Sequence, residues 1–399
     1  MNIGEYNYEL PADRIAQRPL RQRDASRLLV YQDGQITDEY FSGIDKLIPE
    51  GSLLVFNDTK VVRARLKFAK STGGAIEIFC LEPVAPSTDL QLAFQQQSNC
   101  HWSCLVGNSK KWKNEVLYRP LDKPGTWLKA ERIASLGDGC FEIRFSWTPE
   151  SDSFSEILAI AGQVPLPPYI ERESDDEDNL RYQTVYARYE GSVAAPTAGL
   201  HFTEDILERL RKRNCHEETV TLHVGLGTFR PVSVPDISQH IMHSEHFIVK
   251  RSSLITLRSW LERPVIAVGT TSARTLESLY WLGARVIADP KTELLQVNQW
   301  EPYEPQGKPF PAPEESLDAL IRYLERKNLN ECHGSTSLII MPGYHFRIIS
   351  SLITNFHMPK STLLLLIAAF TGDGWRKAYS HALANGYRFL SYGDACLFL

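Results

Sequence analysis

Between Ala69 and Phe154 the chain shows almost no helical periodicity. Short runs of apolar alternation, AIEIFCLEPV, HWSCLVG, GTWLKAERIA and CFEIRFSW, recur between turn signals at STGG, DKPG and LGDG. Strands this short and this regularly spaced predict a small antiparallel barrel or sandwich. After the proline-rich link Gly162–Tyr169, GQVPLPPY, the pattern changes. PVIAVG reads as a buried strand, TTS as a turn and SARTLESLYWLG as a helix, which is the order of an α/β fold. Thr203 is a plausible N-cap for a helix carrying Ile206, Leu207 and Leu210, and TVTLHV follows as a strand. SLIIMPG reads as a further strand, and Pro359 to Phe370 as a helix entered through Pro-Lys-Ser. Residues 284–334, rich in proline before a helix from about Pro313 to Lys327, read as an elaboration on the α/β part. At 399 residues, two to three domains are expected.

Charge is unevenly spread. The net formal charge of −5 excludes a polybasic protein built throughout for phosphate, but leaves room for a local basic face. In the run from Val62, the apolar Val62, Ala64, Leu66 and Phe68 fall on one face of a strand. Arg63, Arg65 and Lys67 fall on the other, flanked by Lys60 and Lys70. That face suits a phosphate backbone, and Lys110-Lys111-Trp112-Lys113, an aromatic among lysines, is a second candidate. Arg209 to Arg213 close a helix, where cations oppose the negative dipole end. Glu171 to Asp178 reads as an exposed acidic loop without function. The most apolar run, Leu363–Phe370, is eight residues, against about 20 needed to cross a bilayer. With a mixed, acidic N-terminus, the cytoplasm is the expected compartment.

Seven scattered cysteines without a C-x-x-C pair argue against a disulfide framework, and Cys100-His101-x-x-Cys104 is read as packing of a strand. Six of the eleven histidines, 201, 216, 223, 240, 243 and 246, crowd into one part of the chain beside Glu245. Imidazole titrates nearest neutral pH, so this cluster suits proton transfer. The spacing of His240, His243 and His246 would also suit metal ligands on one helical face, but Pro231 and Pro235 precede it and no carboxylate ligand pattern accompanies it. Gly225-Leu226-Gly227 leads into Thr228–Val232, which reads as extended, so a dinucleotide-type loop opening onto a helix is disfavoured. Gly269-Thr270-Thr271-Ser272, between strand and helix, is a better anion site, with capping of the helix by its hydroxyls as the competing reading.

Several long strings occur in order: VFNDTKVVRARL from Val55, PLPPYI from Pro165, YQTVYA from Tyr182, GSVAAPTAGLHFT from Gly191 and TLHVGLGTFRPV from Thr221. HIMHSE from His240, AVGTTSARTLES from Ala267, PGYHF from Pro342, TNFHMPKSTL from Thr354 and YRFLSYGDA from Tyr387 continue the series. Over nearly its whole length the chain closely resembles the S-adenosylmethionine:tRNA ribosyltransferase-isomerase family of queuosine biosynthesis. The resemblance implies an α/β large domain with a smaller antiparallel β-barrel domain inserted. Applied to the segmentation above, this gives residues 1–68 and 159–399 as the α/β catalytic domain, with 284–334 an elaboration within it, and 69–158 as the β-barrel.

It further implies that the ribosyl moiety of S-adenosylmethionine is transferred to, and isomerised on, 7-aminomethyl-7-deazaguanine at the tRNA wobble position. The product is epoxyqueuosine, with adenine and methionine released. S-adenosylmethionine is consumed as cosubstrate, no other cofactor and no metal is expected, tRNA is the partner, and a monomer away from any membrane is the expected state. Within the matching motifs, His201, His223, His243 and Glu245 are the expected proton-transfer or ribose-contact residues. Asp58, Asn355, His357, Arg388 and Asp394 are expected polar contacts to substrate. Thr271 and Arg274 are expected at the methionine carboxylate, and Arg63, Arg65 and Lys67 at the tRNA. The alternatives are a paralogue acting on another RNA base and a catalytically silent tRNA-binding protein.

Overall fold

The computed structural model describes residues 1–113, 115–137, 139–225, 232, 234–304 and 309–399. The expected extended stretch Thr228–Val232 and the Gly225–Gly227 loop lie outside these residues, apart from Gly225 and Val232, as does Pro305. In chain order the strands are Arg27–Gln32 (β1), Gln35–Tyr40 (β2), Leu53–Asn57 (β3), Thr59–Val61 (β4), Arg65–Ala69 (β5), Ala75–Ala85 (β6) and Asn99–Gly107 (β7). Leu117–Pro120 (β8), Trp127–Gly137 (β9), Cys140–Thr148 (β10), Gly162–Gln163 (β11), Tyr189–Ser192 (β12) and His216–Leu222 (β13) follow. Glu245–Lys250 (β14), Val265–Val268 (β15), Gln296–Val297 (β16), Glu331–Thr336 (β17), Ser351–Asn355 (β18) and Ala395–Phe398 (β19) complete the set.

Ten of these strands form one mixed sheet in the order β16-β17-β14-β13-β3-β15-β18-β19-β1-β2. Its centre, β13-β3-β15-β18, is parallel. Every residue of β3, β15 and β18 is buried, as expected of parallel strands covered on both faces. Alternation then divides each strand between two cores. Leu53, Val55, Val265 and Ala267 join the core beneath the helices Thr270–Ala288 and Pro313–Arg326. Leu54, Phe56, Ile266 and Val268 join the core beneath Glu204–Lys212. That last helix is capped by Thr203, whose Oγ1 accepts the N–H of Ile206. Glu277, buried in the middle of Thr270–Ala288, accepts hydrogen bonds from the Tyr344 hydroxyl and the backbone N–H groups of Arg347, Ile348 and Ile349. This fastens the segment leading into β18, and hence the position of everything at the end of that strand.

The second sheet is antiparallel, in the order β11-β5-β6-β7-β10-β9-β8, and curls around Trp102, Phe145, Trp147 and Phe154. Val62, Ala64, Leu66 and Phe68 point into this core as the alternation requires, and Cys100 and Cys104 are buried packing residues. A closed barrel was the expectation, but among the described residues the sheet is an open, curled half-barrel. β5 pairs on its second edge with β11 at Leu66 and Arg65, where the chain returns, and among the described residues no ladder joins the rest of that edge to β8. Across that seam Arg119 Nη1 donates to the Lys67 carbonyl at 3.1 Å.

A further departure concerns SLIIMPG. The β17 ladder ends at Thr336, and Leu338, Ile339 and Ile340 are buried without forming a strand. A short apolar run reports burial, not backbone conformation. No described helix is long and apolar enough to cross a membrane.

Candidate active site

The parallel strands β13, β3, β15 and β18 all end at the same side of the sheet, where open α/β sheets hold ligands. At the end of β15, Gly269 adopts φ +91°, a conformation that disfavours any β-carbon, and turns the strand directly into the helix Thr270–Ala288. No side chain caps that helix, so the reading of Thr270–Ser272 as hydroxyl caps does not hold. Ser272 Oγ bonds back to the Val268 carbonyl, while Thr271 Oγ1 is buried with no partner among the described residues. The helix N-terminus, with its unsatisfied N–H groups and positive dipole end, therefore stands open.

At the end of β18 come Asn355 and His357. A cleft of about 80 Å³ is lined by Thr271, Asn355 and His357, together with Tyr169, Thr197, Thr270, Thr354, Ser361 and Ser391 and an apolar remainder from Ala194 to Leu390. Among the described residues no Asp, Glu, Lys or Arg lines it. His357 is pinned through its backbone: the Tyr8 hydroxyl donates to its carbonyl, and its own N–H donates to the Tyr379 hydroxyl at 3.1 Å. Its Nε2 lies 3.4 Å from Thr354 Oγ1, whereas Nδ1 has no partner. Burial pushes its pKa down to about 3, so the ring is neutral at physiological pH.

Asn355 donates through Nδ2 to His201 Nε2 at 3.1 Å and to the Leu390 carbonyl at 3.2 Å, and its Oδ1 is unpartnered. His201 thus stands behind Asn355 rather than lining the cleft. Its Nδ1 is 2.8 Å from Ser26 Oγ, and burial, opposed by nearby Asp394, lowers its pKa to about 4. Asp394 is tied to Arg388, by the Nη2 bond of 2.9 Å and by the Arg388 N–H, and also accepts from the Arg27 N–H.

The remaining expected site residues lie around this centre. His223 adjoins Val224, which lines the cleft; its Nδ1 has no partner, and burial followed by His246 lowers its pKa to about 4. Gly191 packs so closely that an added Cβ would meet His223 Nδ1 at 2.5 Å. Asp58 is buried at the end of β3 and accepts from Thr221 Oγ1 at 2.7 Å; burial raises its pKa. Glu245 and Arg274, expected in separate roles, form one buried ion pair at 2.6 Å. His243 is exposed on the stretch before β14, which is not helical, so the spacing of His240, His243 and His246 does not create a helical face. Among the described residues no three His, Cys, Asp or Glu side chains are grouped to hold a metal.

The basic features behave differently. Arg65 makes a bidentate pair with Glu77 at 2.6 and 2.9 Å, Lys67 pairs with Glu173 at 2.6 Å, and Arg63 donates to the Ala159 carbonyl at 2.6 Å. Trp112 is buried in the curled-sheet core, 1% exposed, and so is not an aromatic platform among lysines. The acidic stretch is likewise not a bare solvated loop: Asp178 is buried, held by both Arg172 Nη atoms at 2.6 and 2.8 Å and by the Tyr392 hydroxyl at 2.7 Å. Reading by residue type overlooked Ser26, Thr197, Tyr169, Ser361 and Ser391. Tyr169, Thr197, Ser361 and Ser391 sit inside motif strings already singled out, as PLPPYI, APTAGLHF, KST and FLSYGD, so their hydroxyls were the available signal.

Such a cleft offers an anion-binding helix end, a hydroxyl, a carbonyl acceptor and a neutral imidazole within a mostly apolar wall. The S-adenosylmethionine:tRNA ribosyltransferase-isomerase of Azoarcus sp. is 38% identical over 400 residues, covering 100% of this chain and 97% of that protein. The protein of the same name from Polynucleobacter asymbioticus is 39% identical, covering 99% and 97%. A solved S-adenosylmethionine tRNA ribosyltransferase from Thermotoga maritima is 28% identical and covers 99% of this chain and 100% of that one, with a TM-score of 0.47. The family described as "Queuosine biosynthesis protein" matches residues 3–398, and the chain belongs to that family.

Proposed function

We propose that this chain is an S-adenosylmethionine:tRNA ribosyltransferase-isomerase. It moves the ribosyl moiety of S-adenosylmethionine onto 7-aminomethyl-7-deazaguanine at the tRNA wobble position and isomerises it, giving epoxyqueuosine, adenine and methionine. Family membership and the names of full-length relatives support the reaction class. The observation that carries the reading is that Thr271 Oγ1, Asn355 Oδ1 and His357 Nδ1, all unpartnered, belong to residues of one cleft at the ends of the parallel strands.

In this proposal the uncapped helix N-terminus at Thr270 and Thr271 receives the methionine carboxylate. Arg274 is committed to Glu245, so the helix end rather than its guanidinium supplies the positive potential. The sulfonium acidifies the adjacent 5′ carbon of the ribose, and His357, the imidazole lining the cleft, takes that proton at Nδ1. Adenine leaves with a proton, and the substrate amine attacks in its neutral form. The apolar wall excludes water from these intermediates. His223, His243, Asp58, Arg388 and Asp394 support the site at one remove.

Residues 69–158, the greater part of the curled sheet, serve as a domain inserted into the α/β body of 1–68 and 159–399, with 284–334 an elaboration of that body. The tRNA lies against Arg63, Arg65 and Lys67, which exchange their present partners for phosphates. In this reading the chain works in the cytoplasm as a monomer.

Incubation of the purified protein with S-adenosylmethionine and tRNA bearing the aminomethyl-deazaguanine base tests the proposal. Adenine release together with an epoxyqueuosine nucleoside is expected. Adenine release without that nucleoside would point instead to a paralogue acting on another base. Retained tRNA binding without adenine release would point to a silent binder.

A further inference from the structure

We propose that the Leu390 carbonyl and His201, whose ring is held in turn by Ser26, lock the Asn355 carboxamide in one orientation, with His201 and Ser26 as positioning residues, so that the cleft selects a nucleoside carrying a hydrogen-bond donor opposite Asn355 Oδ1. The inference rests on the functional reading above, with S-adenosylmethionine as the nucleoside.

A carboxamide has two N–H donors and one carbonyl, and its two ends are told apart only by their partners. Here the Leu390 carbonyl accepts, so the atom 3.2 Å from it is the amide nitrogen. The same nitrogen lies 3.1 Å from His201 Nε2, which must then be the unprotonated ring nitrogen. The ring proton therefore sits on Nδ1 and is donated to Ser26 Oγ at 2.8 Å. Both amide hydrogens are used, and the amide cannot turn over without placing its oxygen against the Leu390 carbonyl. Asn355 is 3% exposed, and its Oδ1 is left with no partner among the described residues. A buried acceptor of this kind favours a ligand that donates to it and penalises one that does not. In S-adenosylmethionine the available donors are the exocyclic amine of adenine and the ribose hydroxyls. Within the chain, His201 acts through Asn355, because its ring nitrogens are already committed to Asn355 and Ser26.

Two measurements on the full chain test this. In the unliganded protein, ¹⁵N chemical shifts of the His201 ring should report a neutral imidazole protonated at Nδ1; a ring protonated at Nε2, or an imidazolium at neutral pH, overturns the relay. In binding assays, S-adenosylmethionine is compared with its 6-oxo analogue and its 2′- and 3′-deoxy analogues. Wild-type protein should reject one of the three by roughly tenfold to a hundredfold. That preference should fall below about threefold in Asn355→Ala and His201→Ala, and return in His201→Gln, whose side-chain oxygen can accept from the amide. A merely structural role would weaken all ligands alike and leave the ratio unchanged, and an unchanged ratio in Asn355→Ala overturns the proposal. Should His201→Ala fail to fold, Ser26→Ala frees the ring and is expected to lower the same ratio. Wild-type protein that binds no S-adenosylmethionine would overturn the functional reading and the identity of the donor, while the tautomer measurement still decides the relay.

Discussion

The outer face of β5 and the ends of β15 and β18 are the two polar regions that residue type alone makes conspicuous, and they are built in opposite ways. On β5 and just before it each cation has a partner: Arg65 with Glu77, Lys67 with Glu173, Arg63 with a backbone carbonyl. At the strand ends, polar atoms are buried and left without one: Thr271 Oγ1, Asn355 Oδ1 and His357 Nδ1. An unmet buried donor or acceptor costs stability, whereas a paired surface charge is near neutral. The difference teaches where to look for a ligand: at groups whose bonding capacity the fold has not used.

Four measurements would break or sharpen this contrast. The largest effect is expected at Arg274. Arg274→Ala removes the guanidinium from a buried carboxylate and should cost about 3–5 kcal/mol in urea unfolding, with most of it recovered in an Arg274→Met/Glu245→Leu double variant. A loss under 1 kcal/mol would mean that the pair is not a structural unit and would return Arg274 to the substrate. Next, His357→Gln should lower kcat for adenine release by about a hundredfold or more with little change in the S-adenosylmethionine KM. A variant with full kcat would remove His357 from proton transfer.

The third concerns pH. His201, His223 and His357 are buried with pKa values lowered to about 4, 4 and 3, while an unfolded imidazole titrates near about 6.5. Below pH 6.5 the unfolded chain binds more protons than the folded one, so stability should fall as pH drops from 6.5 towards 4 and be indifferent to these groups above 6.5. Each contributes about 2 kcal/mol of loss by pH 5, and replacement of any one by Gln should flatten the dependence in that window. Denaturation midpoints unchanged between pH 7 and pH 5 would contradict the burial of neutral rings.

The smallest effect belongs to the basic face. Arg65→Ala should cost about 0–1 kcal/mol, because Arg65 and Glu77 are both about one-third exposed, and should flatten the salt dependence of tRNA binding by less than one charge. Glu77→Gln, which frees the guanidinium, should steepen it. A full unit of flattening in Arg65→Ala would show that Arg65 leaves Glu77 for a phosphate.

Much of this was legible in the chain. Alternation assigned Leu66 and Phe68 to a core, Thr203 and Ser361 cap the helices they precede, and the apolar runs of β3 and β15 mark strands covered on both sides, whereas β18, with Ser351, Thr354 and Asn355, carries no such run. The motif strings brought Thr271, Asn355 and His357 into consideration together. Other features were not legible, because they depend on distant partners. Trp112 sits among lysines in sequence but inside a core in space, and Asp178 ends an acidic run yet is buried against Arg172 and Tyr392. The edge of β5 at Leu66 and Arg65 is taken by β11, which follows every other strand of that sheet in the chain.

By itself the sequence determined the periodicities, the caps and the family, since these depend on residues a few positions apart or on strings that repeat intact. Only the tertiary structure decided which charges are cancelled and which polar atoms are left over. That outcome is a balance of donors against acceptors between segments as distant as Ser26, His201 and Asn355, and no local pattern records it.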